Sequence, residues 1–420
     1  MSIDLDRQLR EYCRLMDADQ GSLSLNEILE KSGELQVIPG QRIAPLDRTK
    51  QKWLAAASAG LAVLLIAAVL RFLPLWVASP DPAVHQTITT LVRAAGAGDW
   101  IPIESMSQGR EQHTATLLLD GRVLVAGGDS ASAELYDPGT GRWTATGNMI
   151  DSRRVHTATL LADGRVLVTG GDLENDALAS AELYDPGTGL WTATENMIEA
   201  HGRGHTATLL PDGRVLVAGG FQAGNQLASA ELFDPANGSW VATGGMTRGR
   251  VYHIATLLPD GTVLVAGSVS SDNSAEVYDP RTGSWTATGS MVHGRHDFTA
   301  TLLPDGTVLV AGSEGSNTAE IYDPSTGTWT GTGSMIDTRV GAHTATLLLD
   351  GTVLVAGSVQ GFASRAELYE PRRGTWATTA DMLEFREYHT ATLLRDGTVL
   401  VAGGRGLLAS AELYGPGVGD

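Results

Sequence analysis

The sequence repeats itself from about residue 100 to its end, and this repeat restricts the possible folds more than any other feature. One unit reads HTATLLLDGRVLVAGG, then a stretch of variable length, then AELYDPGTGRWTATGNM. Successive units begin about 43 to 49 residues apart, a period typical of propeller blades. The seven copies begin at His113, His156, His205, His253, Phe298, His343 and His389.

Each unit divides into four predicted strands that are joined by turn sequences. Asp-Gly, as at Asp120-Gly121, separates the first two runs and supplies the positive φ of a tight hairpin. DPGTG separates the last two, with a proline that cannot donate to a ladder and a glycine that permits the turn. The VLVA run is apolar on both faces, as a strand between neighbouring sheets must be. Seven four-stranded blades are therefore predicted.

The tryptophan of the fourth strand indicates how the ring closes. It occurs only six times after the first unit begins, and the seventh copy, Trp100, lies upstream. Trp100 precedes Met106 by the same spacing that separates Trp143 from Met149. The chain thus starts with an outer strand and ends without one. We expect an all-β, seven-bladed propeller at residues 100–420, in which the first strand completes the last blade.

This pattern resembles the kelch family, in which a di-glycine ends the second strand and an acidic-aliphatic-aromatic triplet and a tryptophan follow. Four units have the di-glycine, as at Gly127-Gly128, and three have Gly-Ser instead, as at Gly267-Ser268. The resemblance covers about three quarters of the chain and implies the propeller fold. It implies no single function, because propellers include enzymes, receptors and scaffolds.

An apolar segment at residues 53–78 precedes the repeats and is predicted to be a transmembrane helix. It carries no charge before Arg71, and a helix of roughly 18 to 24 residues can cross a hydrocarbon core about 30 Å thick. Three basic residues lie directly before the segment, whereas none lies between Arg71 and Arg93. The positive-inside rule then places the N-terminus in the cytoplasm. Two alternatives are a cleaved secretory signal, whose leader here would be far longer than usual, and a buried core helix.

The predicted organisation is therefore that of a single-pass plasma-membrane protein with an extracellular propeller. Residues 1–52 form a cytoplasmic segment, 53–78 the membrane helix, and 79–99 a linker. Two stretches of the first segment, DLDRQLREYCRLMD and SLSLNEILEKSG, are predicted to be short amphipathic helices. These helices would either dock a cytoplasmic protein partner or lie on the surface of the lipid bilayer.

Charge and cysteine content exclude two kinds of function for the propeller. Of 29 basic and 48 acidic residues, nine of each lie before Ser79, so the whole net charge of −19 falls on the rest of the chain. Such a surface repels phosphate backbones, and a nucleic-acid partner is excluded. The only cysteine, Cys13, lies before the apolar segment, so the propeller has neither disulfides nor reactive thiols.

The two faces of the predicted propeller differ in how much they vary from blade to blade. The Asp-Gly and DPGTG turns share one face, which we name the turn face, and they are nearly identical in all units. The loops between second and third strands share the other face, the loop face, with the links between blades, and they differ in length and sequence. Variable loops on a constant scaffold are the expected recognition surface.

Nine residues of the links and strand starts are candidates for ligand binding on the loop face. Seven are arginines that recur before the first strands. A ring of their guanidinium groups could hold carboxylates or sulfates of a ligand. Alternatively, each arginine could bond loop carbonyls and acidic side chains between blades. Tyr252 and Phe298 belong to a set of aromatics without counterparts in most blades, which could stack on a sugar or pack between blades. The nine are Arg110, Arg153, Arg203, Arg250, Tyr252, Arg295, Phe298, Arg339 and Arg386, and the other aromatics are Phe221, Phe362, Phe385 and Tyr388.

No catalytic, cofactor or metal site is predicted. Equivalent histidines in seven blades spread around a wide ring, whereas a metal ion needs its ligands within about 2 Å. The chain is distantly similar to the galactose oxidase propeller. The copper centre of that family has a tyrosine cross-linked to a cysteine, and no cysteine follows Cys13 in this chain. The predicted function is non-catalytic binding, sensing or protein interaction with a protein or glycan ligand. The alternative is a carbohydrate-active or galactose-oxidase-like enzyme that would use unrepeated loop-face residues such as Glu111, His296 and Glu387.

Overall fold

The structure is a computed structural model, and it describes residues 98–415 except for 175, 340 and 360–363. The predicted cytoplasmic segment, transmembrane helix and nearly all of the linker lie outside these residues. Within the described part of the chain, no helix has the length and apolar character needed to cross a bilayer.

Seven four-stranded antiparallel sheets follow one another along the chain. The innermost strands of adjacent sheets contact each other around a closed ring, including the first and the last. This arrangement confirms the predicted all-β, seven-bladed propeller. We number the blades 1 to 7 in the order of their innermost strands.

Each blade has four strands, which occupy equivalent positions in every blade from the central channel outward. The innermost strands are Thr114–Leu117, Thr157–Leu160, His205–Leu209, Ile254–Leu257, Thr299–Leu302, Thr344–Leu347 and Thr390–Leu393. The second strands are Val123–Ala126, Val166–Thr169, Val215–Gly219, Val263–Ser268, Val308–Ser313, Val353–Ala356 and Val399–Ala402. The third strands are Ala133–Asp137, Ala181–Asp185, Ala230–Asp234, Asp272–Asp279, Ser316–Asp323, Ala366–Glu370 and Ala411–Gly415. The outer strands of blades 1 to 6 are Arg142–Ala145, Leu190–Ala193, Ser239–Ala242, Ser284–Ala287, Thr328–Gly331 and Thr375–Thr378, and that of blade 7 is Asp99–Ile103.

The outer strand of blade 7 comes from the start of the propeller rather than from its end. Asp99–Ile103 pairs antiparallel with Ala411–Gly415, and Trp100 lies opposite Tyr414. The two rings pack in a tilted arrangement with centroids 5.0 Å apart, as the equivalent aromatic pair does in blade 1. The first and last strands of the propeller are therefore joined in one sheet.

The core lies between the blades because the second strand is apolar on both faces. In blade 1, Val123 and Val125 belong to a buried cluster shared with blade 7, whereas Leu124 and Ala126 belong to one shared with blade 2. The same alternation recurs around the ring in seven buried clusters. Burial of side chains on both faces of every sheet is what drives the ring to close.

The loop face is formed as predicted by the links and by the loops between second and third strands. Backbone bridges join the two: Ser130 in the loop of blade 1 pairs with Arg153 in the following link, and Arg154 pairs with Asp172. Among the described residues, two small hairpins project beyond the blades on this face. They are Asp172–Leu173 with Asp176–Ala177 in blade 2, and Phe221–Gln222 with Asn225–Gln226 in blade 3.

Candidate functional site

Six of the seven link arginines lie inside the blades that follow them. In blade 2, Arg153 Nη1 donates to the carbonyl oxygens of Gly170 at 2.9 Å and Ser180 at 3.1 Å, and Nη2 donates to Glu182 at 2.8 Å. The side chains are at most 1% exposed, so these guanidinium groups are out of reach of a ligand on the surface. The six pairs are Arg110–Glu134, Arg153–Glu182, Arg250–Glu276, Arg295–Glu320, Arg339–Glu367 and Arg386–Glu412, at 2.7 to 3.0 Å.

The glutamate of each pair was missed in the sequence analysis, although the sequence contains a signal for it. Glu182 is buried in the third strand. It also accepts the backbone N–H groups of Ile150 at 2.6 Å and Asp151 at 3.1 Å. A buried carboxylate is costly unless it is paired. A glutamate inside an apolar strand of all seven units therefore indicates a buried cation opposite it.

Blade 3 differs from the others because a histidine takes the place of the arginine. His201 is fully buried, with Nδ1 2.6 Å from the carbonyl oxygen of Gly219 and Nε2 3.3 Å from Glu231. These two partners are equivalent to the carbonyl oxygen and the glutamate that Arg153 contacts in blade 2. Burial raises the pKa of Glu231. The hydrogen bonds from His201 and from two backbone N–H groups outweigh this effect and hold the pKa below its usual value.

Arg203 is consequently displaced to the surface of the loop face. It lies two residues before His205, whereas the buried arginines lie three or four residues before the equivalent position. Its side chain is 39% exposed, with Nε 3.7 Å from Asp172 Oδ2. Its guanidinium carbon lies 5.2 Å from the ring centroid of Phe221, a cation–π distance.

The two projecting hairpins and Arg203 border an open cavity of about 410 Å³ on the loop face. Asp172 is 4% exposed, and its Oδ1 accepts the backbone N–H of Arg203 at 3.1 Å. Gly202 permits the link to lie close to both hairpins, because a Cβ atom there would collide with the carbonyl oxygen of Phe221 and lie 2.8 Å from the Cβ of Ala177. The polar and apolar side chains around the cavity include Asp172, Asp176, Ala177, Arg203, Phe221 and Gln222.

Comparison with known proteins agrees with this architecture. The kelch motif matches two consecutive stretches, residues 153–198 and 202–247, which contain blades 2 and 3 with their preceding links. This chain contains kelch motifs. The two matched stretches therefore contain the two blades that border the cavity.

A solved structure shares the fold of the kelch propeller. It is a fungal alcohol oxidase of the AA5 family in complex with copper, with a TM-score of 0.65 and 19% sequence identity over 76% of each chain. An identity this low shows the fold alone. No curated protein matches the sequence.

The described residues do not fit the tyrosine–cysteine copper centre that the galactose oxidase resemblance implies. The kelch propeller has no cysteine, since Cys13 is the only one in the chain. No group of three or more histidine, cysteine or acidic side chains among the described residues is arranged to hold a metal ion. We therefore derive no chemistry through copper for this chain.

The strand-opening histidines of the kelch propeller join neighbouring blades. His156 Nε2, for example, shares a hydrogen bond of 2.9 Å with Thr114 of the preceding blade. Burial lowers the pKa of these side chains, to about 3 at His113 and to about 4 at His205. The six pairs, at 2.9 to 3.3 Å, are Thr114–His156, Thr157–His205, Thr206–His253, Thr299–His343, Thr344–His389 and Thr390–His113.

The candidate aromatics are not gathered at one place. Phe298 is 8% exposed and belongs to the buried cluster between blades 4 and 5. Tyr252 is half-buried in the link to blade 4, where its backbone N–H donates to the carbonyl oxygen of Gly204 at 2.9 Å. Burial, followed by the charge of Asp297, raises the pKa of Tyr252. Phe221 is at the cavity, and Phe362 lies outside the described residues.

Proposed function

We propose that this protein is a membrane-anchored, non-catalytic binding module whose kelch propeller recognises a protein or glycan ligand outside the cell. The observation that carries the proposal is the contrast between the two faces. Similar buried contacts recur from blade to blade, whereas the two-stranded hairpins that the structure describes outside the blades lie on the loop face, beside a cavity. A rigid scaffold that varies on one face is the usual arrangement of a recognition surface.

The chain enters the propeller at the turn face, which is opposite the proposed binding face. Asp99, the first residue of the outer strand of blade 7, pairs with Gly415, where the third strand ends on the turn face. The strand then runs toward the loop face. A membrane anchor before residue 79 would thus join the propeller through a strand that begins on the turn face.

The three unrepeated polar residues that an enzyme could use each have a structural partner, Glu111 and Glu387 on the same loop of blade 7 and His296 in blade 5. Glu111 accepts the backbone N–H of Gly406 at 2.7 Å. Glu387 pairs with Arg405 at 2.8 Å, and His296 with Glu314 at 2.9 Å. An enzyme would need an acid, a base and an orienting group around one reacting atom.

Site-specific photo-crosslinking of the full-length chain in the producing cells tests the proposed binding face. A crosslinking residue would replace Arg405 or Glu314 on the loop face, whose side chains are 59% and 65% exposed. Leu119 and Leu349 on the turn face, 60% and 71% exposed, are the matched controls. We expect a discrete adduct from the loop-face positions alone. Equal adducts from both faces, or none from the loop face, would refute the proposal.

Topology is tested separately on the same full-length chain. We expect a tag after Asp420 to react with a membrane-impermeant label on intact cells, and a tag before Met1 to react only after lysis. The reverse pattern would place the propeller in the cytoplasm and contradict the membrane-anchored arrangement.

A further inference from the structure

We propose that the cavity beside Arg203 is a binding subsite for a neutral saccharide. This proposal rests on the binding function proposed above and names the ligand class for one part of the loop face. It is carried by three observations at the boundary of blades 2 and 3: a displaced arginine, two projecting hairpins, and the chemistry of the cavity lining.

The first observation is that blade 3 leaves its arginine available. In the other blades the link arginine is enclosed by carbonyl oxygens and the third-strand glutamate, whereas in blade 3 His201 makes those contacts. Arg203 instead lies over Phe221 on the surface. Among the described residues, neither Nη atom of Arg203 has a hydrogen-bond partner, so both can donate to a ligand.

The second observation is that two independent elaborations of the fold border the same cavity. The hairpin Asp172–Leu173/Asp176–Ala177 belongs to blade 2, and the hairpin Phe221–Gln222/Asn225–Gln226 belongs to blade 3. Gly202, which lies between them, has no room for a side chain. The part of the propeller that the structure describes has no other two-stranded hairpin outside its blades. Their convergence on one cavity indicates a shared role.

The third observation is the mixture of groups that line the cavity. Asp172 and Asp176 can accept hydrogen bonds, and Arg203 and Gln222 can donate them. The ring of Phe221 adds an apolar surface. A hydroxyl group both donates and accepts, so a ring with several hydroxyl groups and an apolar C–H face satisfies all of these partners. The volume of about 410 Å³ is also within the range of small-molecule sites.

The charge of the cavity disfavours an acidic ligand, and the free donors of Arg203 favour a neutral one over a cation. Two carboxylates face one guanidinium group, and the chain as a whole carries a net charge of −19. An acidic ligand would be repelled by this field. A cationic ligand would meet the like charge of Arg203 and leave its Nη donors without an acceptor. A neutral saccharide avoids both conflicts.

The test is an array carrying neutral hexoses, N-acetylhexosamines and their oligomers beside uronic-acid and sulfated saccharides and acidic and basic peptides. The full-length chain would be purified in a detergent without a sugar head group, because such a head group would compete. We expect saturable binding to a neutral saccharide, weakened about tenfold in Arg203→Ala and in Phe221→Ala, a loss of about 1.4 kcal/mol. Arg281→Ala, at an arginine 78% exposed on the turn face, is the matched control and should bind as the parent chain does.

Three outcomes would overturn the saccharide subsite: no binding to any neutral saccharide, binding equal in Arg203→Ala and the parent chain, or loss in Arg281→Ala as well. Unfolding curves of each variant would identify a loss caused by misfolding, and Arg203→Lys gives a second variant that keeps the charge but not the planar donor pair. Binding to a peptide alone would reject the saccharide and leave the binding module intact. The binding module fails only if the crosslinking also contradicts it, with no adduct from the loop face or equal adducts from both faces.

Discussion

At the scale of single residues, buried charge pairs fix the start of each blade. Glu182 accepts Arg153 together with two backbone N–H groups of the preceding link, so one carboxylate holds the link, the third strand and the arginine together. The arginine in turn donates to the carbonyl oxygens of Gly170 and Ser180, which lie just beyond the paired residues of the second and third strands. Loss of one partner would leave the other charge buried and uncompensated.

Replacing Arg153 should therefore destabilise the protein severely. We expect Arg153→Ala to lower the free energy of unfolding by about 3 to 5 kcal/mol, because Glu182 stays buried without its cation. Urea unfolding of the full-length chain, followed by tryptophan fluorescence, measures the change. Arg281→Ala on the turn face is the control and should stay within about 0.5 kcal/mol of the parent chain. A loss below about 1 kcal/mol in Arg153→Ala would show that the pair is not structurally important.

At the scale of elements, one interface between blades has exchanged a polar pair for an apolar one. Six interfaces join a threonine at or near the start of one innermost strand to the histidine of the next blade. Between blades 4 and 5 these positions are Ile254 and Phe298, which belong to one buried cluster. A Cβ atom on Gly267 would lie 2.7 Å from the Phe298 ring, so the ring occupies the place of the histidine.

The exchange predicts coupling between the two positions. Phe298→His alone should cost about 1 to 3 kcal/mol, because its imidazole would be buried beside Ile254 without a hydrogen-bond partner. Adding Ile254→Thr should recover part of this loss by restoring the pair found in the other interfaces. A double-mutant cycle from urea unfolding measures the coupling. Strictly additive losses would contradict it.

At the scale of the whole molecule, the ring of buried histidines makes stability depend on pH. Burial lowers the pKa of His113, His253 and His389 to about 3 and that of His205 and His343 to about 4, whereas unfolded histidine titrates near 6.5. The pKa of His156 is lowered as well. Between these values the unfolded chain binds more protons than the folded one, so acid favours unfolding.

Stability should thus be highest above pH 6.5 and fall steadily as the pH is lowered from 6.5 toward 4.5. Each buried histidine contributes up to about 1.4 kcal/mol per pH unit in this window. Urea midpoints at several pH values measure the slope, and His156→Gln, which removes one of these groups, should reduce it by about a sixth. An unfolding free energy that is constant across this window would show that these histidines do not titrate differently in the two states.

The sequence alone was sufficient to predict the blade number, the four strands of each blade and the assignment of variable loops to one face. These properties depend on local and repeated patterns: Asp-Gly requires a tight turn wherever it occurs, and VLVA must be buried on both faces. The upstream position of Trp100 likewise indicated an outer strand for the last blade. The membrane helix at residues 53–78 stays a prediction, because it lies outside the described part of the chain.

Only the tertiary structure decided which candidate residues are available to a ligand. The seven link arginines have similar positions in the sequence, yet six are buried and Arg203 is exposed, because a shift of one or two residues in a link decides which side chain reaches the third-strand glutamate. The cavity is likewise formed by loops of two neighbouring blades. Burial and cavity shape depend on side chains brought together from different strands and loops, and a repeat pattern contains no information about how they meet.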